Sequence, residues 1–280
     1  MKRFSCLTPL FLFLLQAPFL ATSCASSSAD HGSPAAASIE SREIQYEADG
    51  VALTGYLARP SEHAKSAPGV LVIHEWWGHN DYVRRRADEL AELGYVAFAL
   101  DMYGSGKTAS HPTDAGAFAG EVMANADVME ARFRAALEVL NSQEGVNPNK
   151  TGAIGYCMGG GIALKMARET ATVDAVASFH GSVGAALGAK DAGRLSYALI
   201  ATGGADPLVP LEQVEELEEE LRTDGMKEIK TIIFPTAVHG FTNPDATAMG
   251  EKFPDLPLAY DAAADERSWE ALKAMFAAAL

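Results

Sequence analysis

The chain has only three cysteines in 280 residues, Cys6, Cys24 and Cys157. It is also short of basic residues, with 22 Lys and Arg against 37 Asp and Glu and a formal net charge of −15. Such a surface repels phosphate backbones and does not favour anionic lipid, so neither nucleic acid nor a charged membrane surface is expected as a ligand. No internal repeat is visible. The apolar run from Phe4 to Leu20 is short and is interrupted by Pro9, Gln16 and Pro18, which argues against a membrane-spanning helix. What remains is ordinary for a globular chain with an ample core: 48% hydrophobic and 21% charged residues.

The run at the N-terminus follows Lys2 and Arg3 and leads into Ala21, Thr22, Ser23 and Cys24. A charged start, an apolar stretch and small residues before a cysteine read as a secretory signal over residues 1–23. The pattern resembles a bacterial lipoprotein signal, in which Cys24 becomes the lipidated first residue of the mature chain. Ordinary signal cleavage nearby, leaving a soluble exported protein, is the alternative. Either way the expected location is outside the cytoplasm, and any membrane contact is through the lipid anchor. Residues 24–38, rich in Ser, Ala, Gly and Pro, are expected to be a tether. The folded domain is then 39–280.

Cys6 leaves with the signal and a lipidated Cys24 is blocked. Cys157 is then the only free thiol, and it has no partner for an intramolecular disulfide. It is either inert and buried or reactive.

Over 39–280 strands alternate with helices. Glu43–Tyr46 and Leu53–Ala58 suggest an antiparallel hairpin. Buried strands are expected at Gly69–His74, Tyr95–Leu100, Lys150–Ile154, Ala175–Phe179, Ala198–Thr202 and Lys230–Phe234. Helices are expected around Asp81–Leu93, Met158–Thr170, Glu212–Asp224 and Ala262–Ala279. A long one covers Asp114–Ser142, broken near Gly120. Continuous apolar strands separated by helices indicate an α/β fold, a mainly parallel central sheet with helices on both faces. Function in such sheets collects at the carboxyl ends of the strands.

The segment Gly155-Tyr156-Cys157-Met158-Gly159 stands between a strand and a helix. It matches the G-x-S-x-G nucleophile elbow of the α/β-hydrolase fold, with cysteine for serine. The flanking glycines remove side chains that would collide at so sharp a turn. The sulfur lies at a helix N-terminus, whose positive end stabilises a thiolate. The backbone N–H of Met158 points where an oxyanion would form. The fold orders its triad as nucleophile, acid, histidine. His239, after the last strand, fits the base. Asp206, in Gly-Ala-Asp-Pro after Ala198–Thr202, fits the acid that orients it. His180 precedes the acid and is left a structural or substrate-lining role.

Strand Gly69–His74 runs into Glu75-Trp76-Trp77-Gly78. Trp76 and Trp77 would wall an apolar pocket, and burial there would raise the Glu75 carboxyl. The Trp76 N–H is the candidate second oxyanion donor.

These motifs together, His-Glu-Trp-Trp-Gly, Gly-Tyr-Cys-Met-Gly-Gly, Gly-Ala-Asp-Pro and His-Gly-Phe, resemble the dienelactone hydrolase family (carboxymethylenebutenolidases). Asp101-Met102-Tyr103-Gly104 is similar to another stretch of that family. The resemblance covers nearly all of 39–280. It implies that Cys157 attacks an ester or lactone carbonyl of a small molecule to give an acyl-enzyme, that His239 shuttles protons, and that Asp206 orients it. It implies that Glu75 contacts the resting thiol and helps ionise it. No metal or organic cofactor is implied. The family pattern places a substrate-binding arginine four residues after the histidine, where this chain has Asn243. Arg194 and Lys107 are other cations that sequence alone does not place. Dienelactone is therefore not the expected substrate, while ester chemistry is. A non-catalytic small-molecule binding protein on a hydrolase scaffold is the alternative reading, although no triad member is missing. Thiol redox sensing is a third, opposed by the lack of a resolving cysteine. The oligomeric state is left open.

Overall fold

The computed structural model describes residues 38–62, 65–170, 172–190 and 193–280. The expected signal and tether, with Cys24, lie outside these, apart from Ser38. The described part begins with strand β1 (Ile39–Ala48), which pairs antiparallel with β2 (Val51–Pro60). Asp49 and Gly50 join them, both with positive φ (49° and 75°). That is the geometry a two-residue hairpin with right-handed strand twist demands, and Asp-Gly is the sequence that adopts it at least cost.

Six further strands follow, each preceded or followed by a helix: β3 (Ala67–Ile73), α1 (Asp81–Glu92), β4 (Val96–Leu100), α2 (Pro112–Met123), α3 (Ala126–Asn141), β5 (Val146–Tyr156), α4 (Met158–Thr170), β6 (Ala175–Phe179), β7 (Tyr197–Gly203), α5 (Leu211–Thr223), β8 (Glu228–Phe234), α6 (Ala246–Lys252) and α7 (Ala262–Ala279). They form one eight-stranded sheet in the order β1-β2-β4-β3-β5-β6-β7-β8. The hairpin joins antiparallel through β2 to β4, and every other pairing is parallel. This is the α/β-hydrolase architecture.

Both faces are covered. Residues alternate across the pleat, so Leu71 and Ile73 of β3 face one layer, with Phe133 and Leu140 of α3 and Leu217 of α5. Val70 and Val72 face the other, with Leu90 of α1 and Leu272 and Phe276 of α7. Hence β3 and β4 read as unbroken apolar runs: both sides are buried. No helix among the described residues is long and apolar enough to cross a membrane.

Two helical details differ from expectation. The break in the long helical stretch falls at Ala124–Asn125, not at Gly120, which lies inside α2. Asn125 stops one helix and starts the next, its Oδ1 accepting the Val128 N–H at 3.2 Å. The short α6 was not anticipated.

Candidate active site

The sheet delivers three chain-distant groups to the carboxyl ends of three of its parallel strands. Cys157 follows β5, Asp206 follows β7 and His239 follows β8. Cys157 has φ +54°, in the left-handed region, which a non-glycine residue holds only where its surroundings over-determine it. The flanking glycines explain how the turn closes. A Cβ on Gly155 would lie 2.0 Å from the Gly159 carbonyl oxygen, and one on Gly159 would lie 2.5 Å from the carbonyl oxygens of Ile73 and His74. Neither position has room for a side chain, so α4 can pack directly over the end of β3.

His239 Nδ1 donates to Asp206 Oδ2 at 2.8 Å, and both side chains are buried. Asp206 is itself fixed, its Oδ1 accepting the Leu208 N–H at 2.8 Å. With Nδ1 so engaged, Nε2 is the free nitrogen. It is buried without an aligned hydrogen-bond partner among the described residues. Cys157 nonetheless acts on the ring. Burial works against an imidazolium, but the charge of Cys157 and the hydrogen bond and charge of Asp206 outweigh it, raising His239 to about 10. This direction suits a ring that holds a proton. The expected triad members therefore converge in one place.

The two expected oxyanion donors, the N–H groups of Met158 and Trp76, have no acceptor among the described residues. The Trp76 turn is held from below. His74 Nε2 accepts the Met102 N–H at 3.1 Å, so its Nδ1–H donates to the Glu75 carbonyl at 2.6 Å. The Tyr103 hydroxyl donates to the Trp76 carbonyl at 2.9 Å. Asp101 in turn accepts the N–H groups of Tyr103 and Gly104, each at 2.8 Å. The Asp-Met-Tyr-Gly stretch is thus a buttress for this turn.

Above Cys157, Met158, Ser182 and His239 opens a cavity of about 290 Å³. Its walls are Trp76, Ala119 and Met123 of α2, Leu208 of the Asp206 loop, and Leu256 and Leu258. Ring-like Trp76 does wall the pocket, as expected. Trp77 does not: it is buried, edge-on to Trp76 and stacked on Phe253. The remaining wall residues come from loops and partly buried helix positions, and the sequence reading did not find them. Leu208, at 53% exposed, is the one that carries a signal, an unexplained leucine two residues after the candidate acid.

His180 and Asn243 also fail to reach the cavity. His180 is wholly buried with φ +41°. Its Nδ1 accepts the Cys157 N–H at 3.2 Å, a proton shared with the Phe179 carbonyl at 3.1 Å. Its Nε2–H therefore donates to Thr242 Oγ1 at 2.8 Å. Thr242 meets the Tyr82 hydroxyl at 2.6 Å, and Arg86 closes the chain onto the Thr242 carbonyl at 2.7 Å. Burial, the His239 charge and Arg86 hold the His180 ring well below the usual histidine range. It is a neutral brace behind the nucleophile and is structural.

Asn243 is buried behind the triad, where its Nδ2 donates to Glu75 Oε2 at 2.7 Å. Its Oδ1 accepts the Asp245 N–H at 3.0 Å, which fixes which end of the amide faces Glu75. The expected contact between Glu75 and the thiol is not seen among the described residues: Asn243 takes the carboxyl group, while Cys157 lines the cavity with His239. Burial raises Glu75 to about 7, opposed by the Asn243 hydrogen bond and the nearby His239 and Arg86 charges. Arg194 is placed far from the chemistry, paired with Asp174 at 2.9 Å, and Lys107 lies over the Phe118 ring. Among the described residues, no Lys or Arg lines the cavity.

Comparison with known proteins bears on this arrangement. The model of the dienelactone hydrolase family matches residues 53–280. Protein usf of Aquifex pyrophilus is 29% identical over 239 residues, spanning 83% of this chain and 96% of that one. A putative carboxymethylenebutenolidase of Aquifex aeolicus is 36% identical over 143 residues, 49% of this chain and 60% of that one. Among solved structures, m3DLH superposes with a TM-score of 0.78 at 32% identity, covering 86% of this chain and 99% of that one. A dienelactone hydrolase-like promiscuous phosphotriesterase from metagenomic libraries gives 0.76 at 31%, covering 86% and 98%. The elbow, the sheet order and these likenesses over most of the chain agree: it belongs to the dienelactone hydrolase family and is a carboxylic ester hydrolase.

Proposed function

We propose that the protein hydrolyses ester and lactone bonds of small molecules through a Cys157–His239–Asp206 triad. The observation that carries this reading is that His239, hydrogen-bonded to Asp206, lines one cavity with Cys157, the three coming from the ends of three parallel strands. Cys157 Sγ adds to the carbonyl carbon, and the resulting oxyanion takes hydrogen bonds from the Met158 and Trp76 N–H groups. Collapse breaks the ester C–O bond, the His239 proton goes to the leaving alcohol oxygen, and a thioester remains. Water then gives its proton to His239 and adds to the thioester carbonyl. Collapse returns the acid and the thiol. Asp206 keeps the ring in the tautomer that puts Nε2 toward the reacting atoms. Glu75, held by Asn243 beside this pair, is proposed to act by its charge state, since a protonated carboxyl does not oppose a neighbouring sulfur anion.

The test is release of p-nitrophenol from short acyl esters. Wild type should turn them over, and Cys157→Ala should lose at least a thousandfold in kcat. Tight ester binding with no turnover in wild type would favour the binding-protein alternative. The lipoprotein reading of residues 1–24 lies outside the described residues and stays a proposal. Metabolic labelling with radioactive palmitate, lost in Cys24→Ala, checks it.

A further inference from the structure

The cavity above Cys157 is notable for what its wall does not contain. Seven apolar side chains line it, Met158 among them, and the polar groups that reach it, Cys157, His239 and Ser182, all stand at the nucleophile end. Its volume, about 290 Å³, falls just below the roughly 300–1,000 Å³ typical of ligand pockets. None of the nearby cations among the described residues lines the cavity. Arg86 is buried and paired with Asp265 and Glu89. Arg132 donates to the Met102 carbonyl. Lys107 and Lys252 lie over the rings of Phe118 and Phe253. Behind the triad the buried pair is Asn243 with Glu75, an amide and a carboxyl, which offers an anion no countercharge.

We propose that the substrates are esters uncharged on both sides of the scissile bond, selected by an apolar cavity that, among the described residues, has no cation to pair with a carboxylate. This rests on the triad reading above and adds the substrate class. The physical reason is desolvation. An apolar chain gains by leaving water for these walls. A carboxylate entering them gives up its hydration with nothing in return. A net penalty of a few kcal/mol corresponds to about a hundredfold or more in kcat/KM.

Two p-nitrophenyl esters of matched length separate these cases: the valerate, which ends in a methyl group, and the glutarate monoester, which ends in a carboxylate. At pH 8 the valerate should be preferred about a hundredfold or more in kcat/KM. Met123→Lys and Leu208→Lys put a cation on two different walls. At least one should narrow the gap tenfold or more, chiefly through KM for the glutarate monoester, and Leu208→Glu should not. Equal turnover of the two esters by wild type would overturn the proposal, as would failure of both lysine variants to narrow the gap. Failure of the triad reading looks different: the valerate would be cleaved equally well by Cys157→Ala, whatever the preference. Turnover of neither ester would overturn both.

Discussion

Replacing Glu75 with glutamine isolates the energetic consequence of burying a carboxyl group beside the triad. Burial raises this group from 4.5 to about 7 in the folded chain. A folded-state pKa above the unfolded one means that the folded protein holds the proton more tightly. Stability is then greatest where Glu75 is protonated in both states, and it falls as pH rises from the unfolded value through about 7. Between pH 5.5 and pH 8 this linkage removes about 2 kcal/mol, taking 1.36 kcal/mol per pKa unit. Glutamine keeps the acceptor for Asn243 Nδ2 and cannot ionise. The assay is urea unfolding of wild type and Glu75→Gln at both pH values. Every other titrating group is common to the two proteins, so the difference between their pH dependences reports Glu75. The wild-type midpoint should fall more than that of the variant, by roughly 1 M urea for a slope of about 2 kcal/mol/M. Parallel pH dependences in the two proteins would refute the reasoning. Glu75 would then be no more buried from its charge than an exposed glutamate.

Further outcomes follow from the same geometry. Asp206→Asn keeps an oxygen for the Leu208 N–H and so turns an N–H toward His239 Nδ1, reversing the ring tautomer; kcat should fall by about 10²–10⁴-fold with KM little changed, read by steady-state kinetics on a neutral ester. Gly159→Ala drives a Cβ to within 2.5 Å of the Ile73 and His74 carbonyl oxygens; a loss of about 3 kcal/mol or more in urea unfolding is expected. His180→Leu leaves Thr242 without its ring partner and should cost about 2 kcal/mol. His180→Asn, which tolerates positive φ and keeps an acceptor near the Cys157 N–H, should retain more stability and more kcat than the leucine variant.

What could be read from the chain alone followed the range of the interactions involved. The elbow is local: Gly155, Cys157 and Gly159 sit within five residues, and their spacing carries the collision that only glycine avoids. Asp206 and His239 are distant in sequence, yet each follows an apolar strand, so the parallel sheet brings them to the same edge. The hairpin at Asp49–Gly50 and the paired faces of β3 are likewise written in short-range pattern. Asn243 is different. Its partner Glu75 lies 168 residues away, and nothing near either residue marks the contact. The family pattern drew attention to position 243 as a substrate contact, whereas the fold turns that side chain inward. His180 stands at the end of a strand, as functional residues do, but its positive φ and its bond to the Cys157 N–H turn the ring under the elbow. The cavity wall was illegible for another reason: Met123, Leu208, Leu256 and Leu258 are only partly buried or exposed, and periodicity marks buried faces. Gly120 misled because a glycine inside an exposed helix is tolerated at modest cost, while the actual break is made by the Asn125 cap.

The claim on which the account turns is that the Cys157 sulfur becomes acylated. Intact-mass measurement after rapid acid quench, during turnover of a slowly released p-nitrophenyl ester, tests it most directly. A mass increase of one acyl group is expected, mapped by peptide digestion to Cys157, formed with the burst of p-nitrophenol and absent in Cys157→Ala. A burst with no added mass, or an acyl group found on any other residue, would contradict it.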